Sequence, residues 1–117
     1  MKDTLKAGVS MTLKIKRVEN KKLLKSYRAK KCLACGAQRN VCAHHLKSKK
    51  SGGHDLPNNL IPLCDFCHTK GSHAVHRVGL DLFSKNFTKV EKYLINHGWE
   101  KTWFGRWFLP KNKEFEE

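Results

Sequence analysis

Two Cys-x-x-Cys pairs, Cys32/Cys35 and Cys64/Cys67, frame a stretch that holds His44 and His45 and leads into His68. Each cysteine pair can set two thiolates at adjacent corners of a tetrahedron. Two such pairs close a structural site with no open position, and thiolate softness selects zinc over calcium or magnesium. Gly36 suits the tight turn after the first pair. The alternative, two redox or disulfide pairs, lacks thioredoxin-like surroundings. Cys42, the fifth cysteine, reads as a small buried residue on the strand before the histidines. Closing the four-cysteine site brings residues 32–35 against 64–67 and clamps His44 and His45 near His68. Side chains alternate along a strand. One of the two neighbouring histidines can therefore share a cation with His68 while the other faces a substrate as a base.

The elements that must position these groups are short. "VCAHH", Val41 to His45, reads as a strand, and "NLIPLC" as a second in which Pro62 restricts pairing. The segment between them, Leu46 to Asn58, is polar and glycine-containing and reads as an exposed loop, with His54 an exposed residue on it. A helix beginning near Asp65 carries Cys67 and His68 towards His76, with an interruption at Gly71. Upstream, "TLKIKRV" has the alternation of a short strand, and "NKKLLKSYRAKK" reads as a basic helix capped by Asn20. Downstream, "NFTKVEKYLINHG" predicts an amphipathic helix with Phe87, Val90, Tyr93 and Leu94 on one face, Gly98 as its stop and His97 exposed near its end. The last segment, "WEKTWFGRWFLP", predicts extended structure whose aromatics Trp99, Trp103, Phe104, Trp107 and Phe108 fill a small core. Base stacking on single-stranded nucleic acid is the alternative use for them.

These elements make a small α+β protein with a basic extension at 1–31, a metal-bearing centre at 32–80 and a C-terminal helix with an aromatic segment at 81–117, one compact domain in all. A chain of 117 residues, 39% hydrophobic, builds a small core of the kind that often needs a metal or disulfide staple. With 24 basic and 10 acidic residues the formal charge is +14, and nucleic acid is the expected polyanionic partner. Residues 1–31 hold eleven lysines and arginines against Asp3 and Glu19. Lys21, Lys22, Lys25 and Arg28 would contact phosphates, the alternative being a solvated helix face. No apolar run of signal-peptide or membrane-span length occurs, so an intracellular setting with reduced cysteines, and no membrane partner, is expected.

The pattern C-x-x-C … A-H-H … G-G … N-L-I-P-L-C-x-x-C-H, residues 32 to 68, resembles the zinc-stapled branch of the HNH nucleases, the ββα-metal or His-Me finger superfamily. The resemblance implies that His45 is the general base and that His44 and His68 hold the catalytic divalent cation. It makes Asn59 the middle "N", which braces the loop between the strands. Some members, colicin nuclease domains among them, have another histidine four residues after the last motif histidine; here that position is Ser72. "CHTKGSHAVHRVGLDLF" is more similar to phage recombination-enhancing nucleases, which makes His76, with His73 beside it, a candidate phosphate or extra metal contact. A surface histidine is the alternative.

The expectation is a metal-dependent HNH endonuclease or nickase acting on double-stranded or branched DNA, with RNA as the alternative substrate. It would carry structural zinc plus magnesium, manganese, nickel or zinc at the catalytic site, nitrogen ligands favouring the last three. No helix-turn-helix or other sequence-reading module is evident, so a protein partner could supply specificity. The resemblance places it in the cytoplasm of a bacterial or phage-infected cell. A non-catalytic zinc-binding DNA- or RNA-binding module is the rival, and it gives no reason for His44, His45, Asn59 and His68 to occur together.

Overall fold

The computed structural model describes residues 17–114. Its centre is an antiparallel pair, β1 (Val41–His45) and β2 (Leu60–Cys64), with Val41 opposite Cys64 and His45 opposite Leu60. Every residue of β2 is buried, whereas β1 is mostly half-buried, so β2 is the inner strand. Pro62 has no N–H for the ladder, but its carbonyl accepts the Leu33 amide at 2.8 Å. The first cysteine turn is thereby fastened to the second strand.

Helix α1 (Lys21–Ser26) begins as its sequence predicts: the Asn20 side chain accepts the Leu23 amide at 3.0 Å. It ends after one and a half turns and tightens into a 3₁₀ turn at Tyr27–Ala29, where Tyr27 is buried. Beyond β2 a π-helical turn (Phe66–Lys70) stops at Gly71, and α2 (Val75–Val78) follows. Adding a Cβ at Gly71 would bring it within 2.8 Å of the Phe66 carbonyl and ring, so the interruption has a steric basis. Next come α3 (Leu80–Asn86) and α4 (Thr88–Asn96). Ile61, Leu63, Phe83, Val90 and Leu94 are wholly buried and form the core with Val41, Val75, Trp99 and three of the cysteines.

The structure departs from the sequence expectations at several points. Helix α3 has no signal in the sequence, because it starts at Leu80 after Gly79, which offers no capping side chain. The loop between the strands is exposed only in its first half; His54, Asp55, Leu56, Asn58 and Asn59 are buried. The aromatic segment is divided: Trp99 lies in the core and donates to the Asn58 carbonyl at 2.6 Å, and Trp107 donates to Ser84 Oγ. The hairpin of β3 (Glu100–Lys101) and β4 (Trp107–Phe108) instead points Trp103 and Phe104 into solvent, the former 95% exposed. The expected strand "TLKIKRV" falls almost entirely outside the described residues. Among the described residues no helix is long and apolar enough to cross a membrane.

Candidate active site and metal centres

The four cysteines of the two pairs converge, their sulfurs all within 4.8 Å of one another. Cys35 Sγ and Cys64 Sγ stand 3.7 Å apart. Four thiolates around zinc at about 2.3 Å would be separated by about 3.8 Å along each tetrahedral edge, so the spacing fits a shared ion and not a disulfide. The Cys35 amide points at Cys32 Sγ. Burial opposes ionisation of Cys32, yet backbone amides of Cys35, Cys64 and Ala34 outweigh it and lower its pKa to about 7. That thiolate is prepared for a cation. Cys67, buried among the other sulfurs without such a surplus of donors, is pushed up, as expected where a positive charge must balance the cluster.

A second cluster gathers His44, His68 and His76, one ligand nitrogen of each lying within 4.8 Å of the others. His44 comes from β1, His68 from the π turn after β2, and His76 from α2. The His68 and His76 Nε2 atoms are 3.1 Å apart, and ring centroids are separated by 4.6–5.1 Å. Nitrogens bound at about 2.1 Å to one cation stand about 3.0 Å apart along an octahedral edge and about 3.4 Å along a tetrahedral one. The set fits a divalent metal. Burial and the neighbouring imidazoles lower His44 to about 3, and His68 is lowered by burial and by His76. Both rings are thus held neutral, the form that binds metal. Cys42 stands behind them, its Sγ 3.7 Å from His68 Nδ1, half-buried rather than buried. His73 is exposed beside Cys35 and Phe66 and stays outside this trio.

His45, the next residue on β1, is not part of the trio. Its Nε2 meets Asp55 Oδ1 at 2.7 Å, and it lines an open cleft of about 370 Å³ with Lys21, Lys25 and Arg28 from the α1 region and Lys49 from the loop. Lys22 is exposed but not on that cleft. Asn59 makes three bonds with its side-chain amide: Oδ1 accepts the Lys47 amide at 2.7 Å, and Nδ2 donates to the Lys47 and His54 carbonyls. It cross-links the two ends of the loop. Gly53 completes that closure, since a Cβ there would overlap the Lys47 carbonyl.

The sequence reading missed Asp55 and misplaced His54, which accepts the Val18 amide at Nδ1 and is 7% exposed. A signal existed: Asp55 is the one acidic residue between Cys35 and Cys64, in a stretch rich in lysine. His97, expected to be exposed, is half-buried and stacked on Tyr93 with ring centroids 3.9 Å apart. A larger cavity of about 500 Å³, between Lys47, Asn59 and the aromatic segment, contains none of His44, His45, His68 or His76.

Residues 32–74 match the family model of the HNH endonucleases. The matched stretch contains both cysteine pairs, β1, β2 and His44, His45 and His68; His76 lies just beyond it. No curated protein and no solved structure matches the chain.

Proposed function

We propose that this chain, which carries an HNH endonuclease segment across residues 32–74, is a metal-dependent endonuclease or nickase that hydrolyses DNA phosphodiester bonds. The observation that carries the reading is the division of labour on β1. His44 joins an imidazole trio fit for a divalent cation, while the next residue, His45, faces a basic cleft. A zinc-stapled binding module would need only the cysteines and the charge.

In this reading Lys21, Lys25 and Arg28 hold the backbone phosphates along the cleft, with Lys22 adding to the field around it. His45 accepts a proton from the attacking water, a role suited to imidazole near neutral pH. His44, His68 and His76 would hold the divalent cation, which supplies polarisation of the scissile phosphate and stabilises charge on the departing oxygen. Three nitrogens favour manganese, nickel or zinc at least as much as magnesium. Asn59 keeps the loop closed so that His45 and the cleft stay in register. The four cysteines hold the frame.

Incubating the purified protein with supercoiled plasmid and magnesium, manganese, nickel or zinc in turn, beside His45→Ala, tests this reading. Conversion to open circles by wild type and not by the variant is expected. Tight DNA binding with no cleavage under any divalent cation would replace the nuclease with the binding module.

A further inference from the structure

Asp55 is 2% exposed and ionisable, in a loop whose sequence gives no reason to bury a charge. A buried carboxylate is costly unless its acceptor sites are filled. Here they are filled from two directions. Oδ1 meets His45 Nε2 at 2.7 Å and accepts from Arg17 Nη1 at 3.4 Å, while Oδ2 accepts the Asn20 amide at 2.8 Å. The Asp55 amide donates to the Val18 carbonyl at 2.9 Å, and the Val18 amide donates to His54 Nδ1 at 2.9 Å. Residues 17–20 thus run along residues 54–55 like a strap and approach Asp55 through backbone as well as side chain.

We infer that Asp55, strapped by Arg17, Val18 and Asn20, is the positioning residue for His45, fixing its ring and keeping its proton on Nε2. The inference deepens the nuclease reading and rests on His45 being the base. An ionised carboxylate only accepts hydrogen bonds, so the nitrogen facing it must carry hydrogen, and the lone pair then sits on Nδ1. That is the atom able to take a proton from water. The strap adds a second consequence. Asn20 caps α1 through its side chain and holds Asp55 through its amide, so one residue registers the phosphate-facing helix against the base. The grip on DNA and the aim of His45 share an anchor.

Asp55→Asn is the discriminating change, because an amide offers one acceptor and one donor where the site needs two acceptors. With its NH₂ turned towards His45 it would draw the ring into the opposite tautomer, a change that costs histidine bases far more rate than binding. The test combines two readouts on the full-length zinc-loaded protein. Nitrogen-15 correlation spectra of the imidazoles report the His45 tautomer, and plasmid nicking with manganese gives kcat and KM. Wild type should show hydrogen on Nε2. Asp55→Asn should lose about 10²-fold or more in kcat with KM little changed, and Arg17→Ala should lose less in the same direction. Zinc content and circular dichroism confirm that each variant is folded. Hydrogen on Nδ1 in wild type would overturn the inference even if Asp55→Asn failed to fold. So would full kcat in a folded Asp55→Asn while His45→Ala is inactive, an outcome that leaves the nuclease reading standing. Inactive wild type would defeat the nuclease reading, and with it the positioning role.

Discussion

Burial alone would raise the pKa of Asp55, but the hydrogen bonds from His45 and the Asn20 amide and the charge of Arg17 prevail and hold its carboxyl below the usual 3.8. Between that lowered value and 3.8 the unfolded chain binds a proton that the folded chain does not, so folding stability rises with pH across this window. The contribution is complete above the unfolded value and is lost as pH falls through the folded one. The stability gap between wild type and Asp55→Asn, measured by urea unfolding, should therefore narrow as pH falls below about 4. A gap that widened on acidification would mean that Asp55 is not held ionised. The cysteines lend themselves to a blunter test. Structural zinc contributes about 10 kcal/mol or more in small metal-dependent folds, comparable with the whole stability of a domain this size. Cys67→Ser should therefore lose both zinc and its cooperative thermal transition, followed by metal analysis and circular dichroism. A folded, zinc-free variant would refute the four-sulfur site. At this scale the cysteine pairs and the His44/His45 alternation were readable, because spacing and strand period determine them. Asp55 was not readable, because its partners Arg17 and Asn20 are more than thirty residues away in sequence.

Helix α1 was legible through its cap and its charge, though not its length, since Tyr27 leaves the helical face to be buried. If α1 and the residues after it grip phosphate, replacing Lys21, Lys22, Lys25 and Arg28 with glutamine should weaken binding to unrelated DNA sequences alike. The slope of log affinity against log salt should flatten by about one unit per lost contact, which filter binding across a salt series would measure. An unchanged slope would make this a solvated helix. The strand pair was legible from its apolar runs bounded by turn residues, although "NLIPLC" starts one residue too early, since Asn59 closes the 3₁₀ turn before β2. Helix α3 was hidden by its uncapped start at Gly79, and the buried half of the loop by bonds made to distant backbone. The β3–β4 hairpin separates two tryptophans that the sequence presents alike. Trp99→Ala should cost about 3–5 kcal/mol, whereas Trp103→Ala should stay within about 0.5 kcal/mol, both by chemical denaturation. Equal costs would show that the hairpin tip is packed.

At the scale of the whole molecule, the cysteine cluster and the histidine cluster are built by the same elements. The cysteine site joins the turn before β1 to the end of β2, and this brings His44 beside His68, while the Gly71 break lets α2 return His76 to the same point. Cys42, Ala43 and His45 of β1 line the basic cleft, and Cys42 also adjoins His68. The sequence alone placed His76 only as a candidate, since the path from His68 through a π turn and a bend has no fixed period. Plasmid nicking against manganese concentration, for wild type, His44→Ala, His68→Ala and His45→Ala, addresses the central claim directly, because metal ligands and base should respond differently. The two ligand variants should keep structural zinc and shift the manganese requirement upward, recovering part of their activity at high concentration. His45→Ala should bind DNA and manganese as wild type does, yet remain about 10²–10⁴-fold slower at every concentration. Nicking by His45→Ala at the wild-type rate would contradict the histidine-base mechanism.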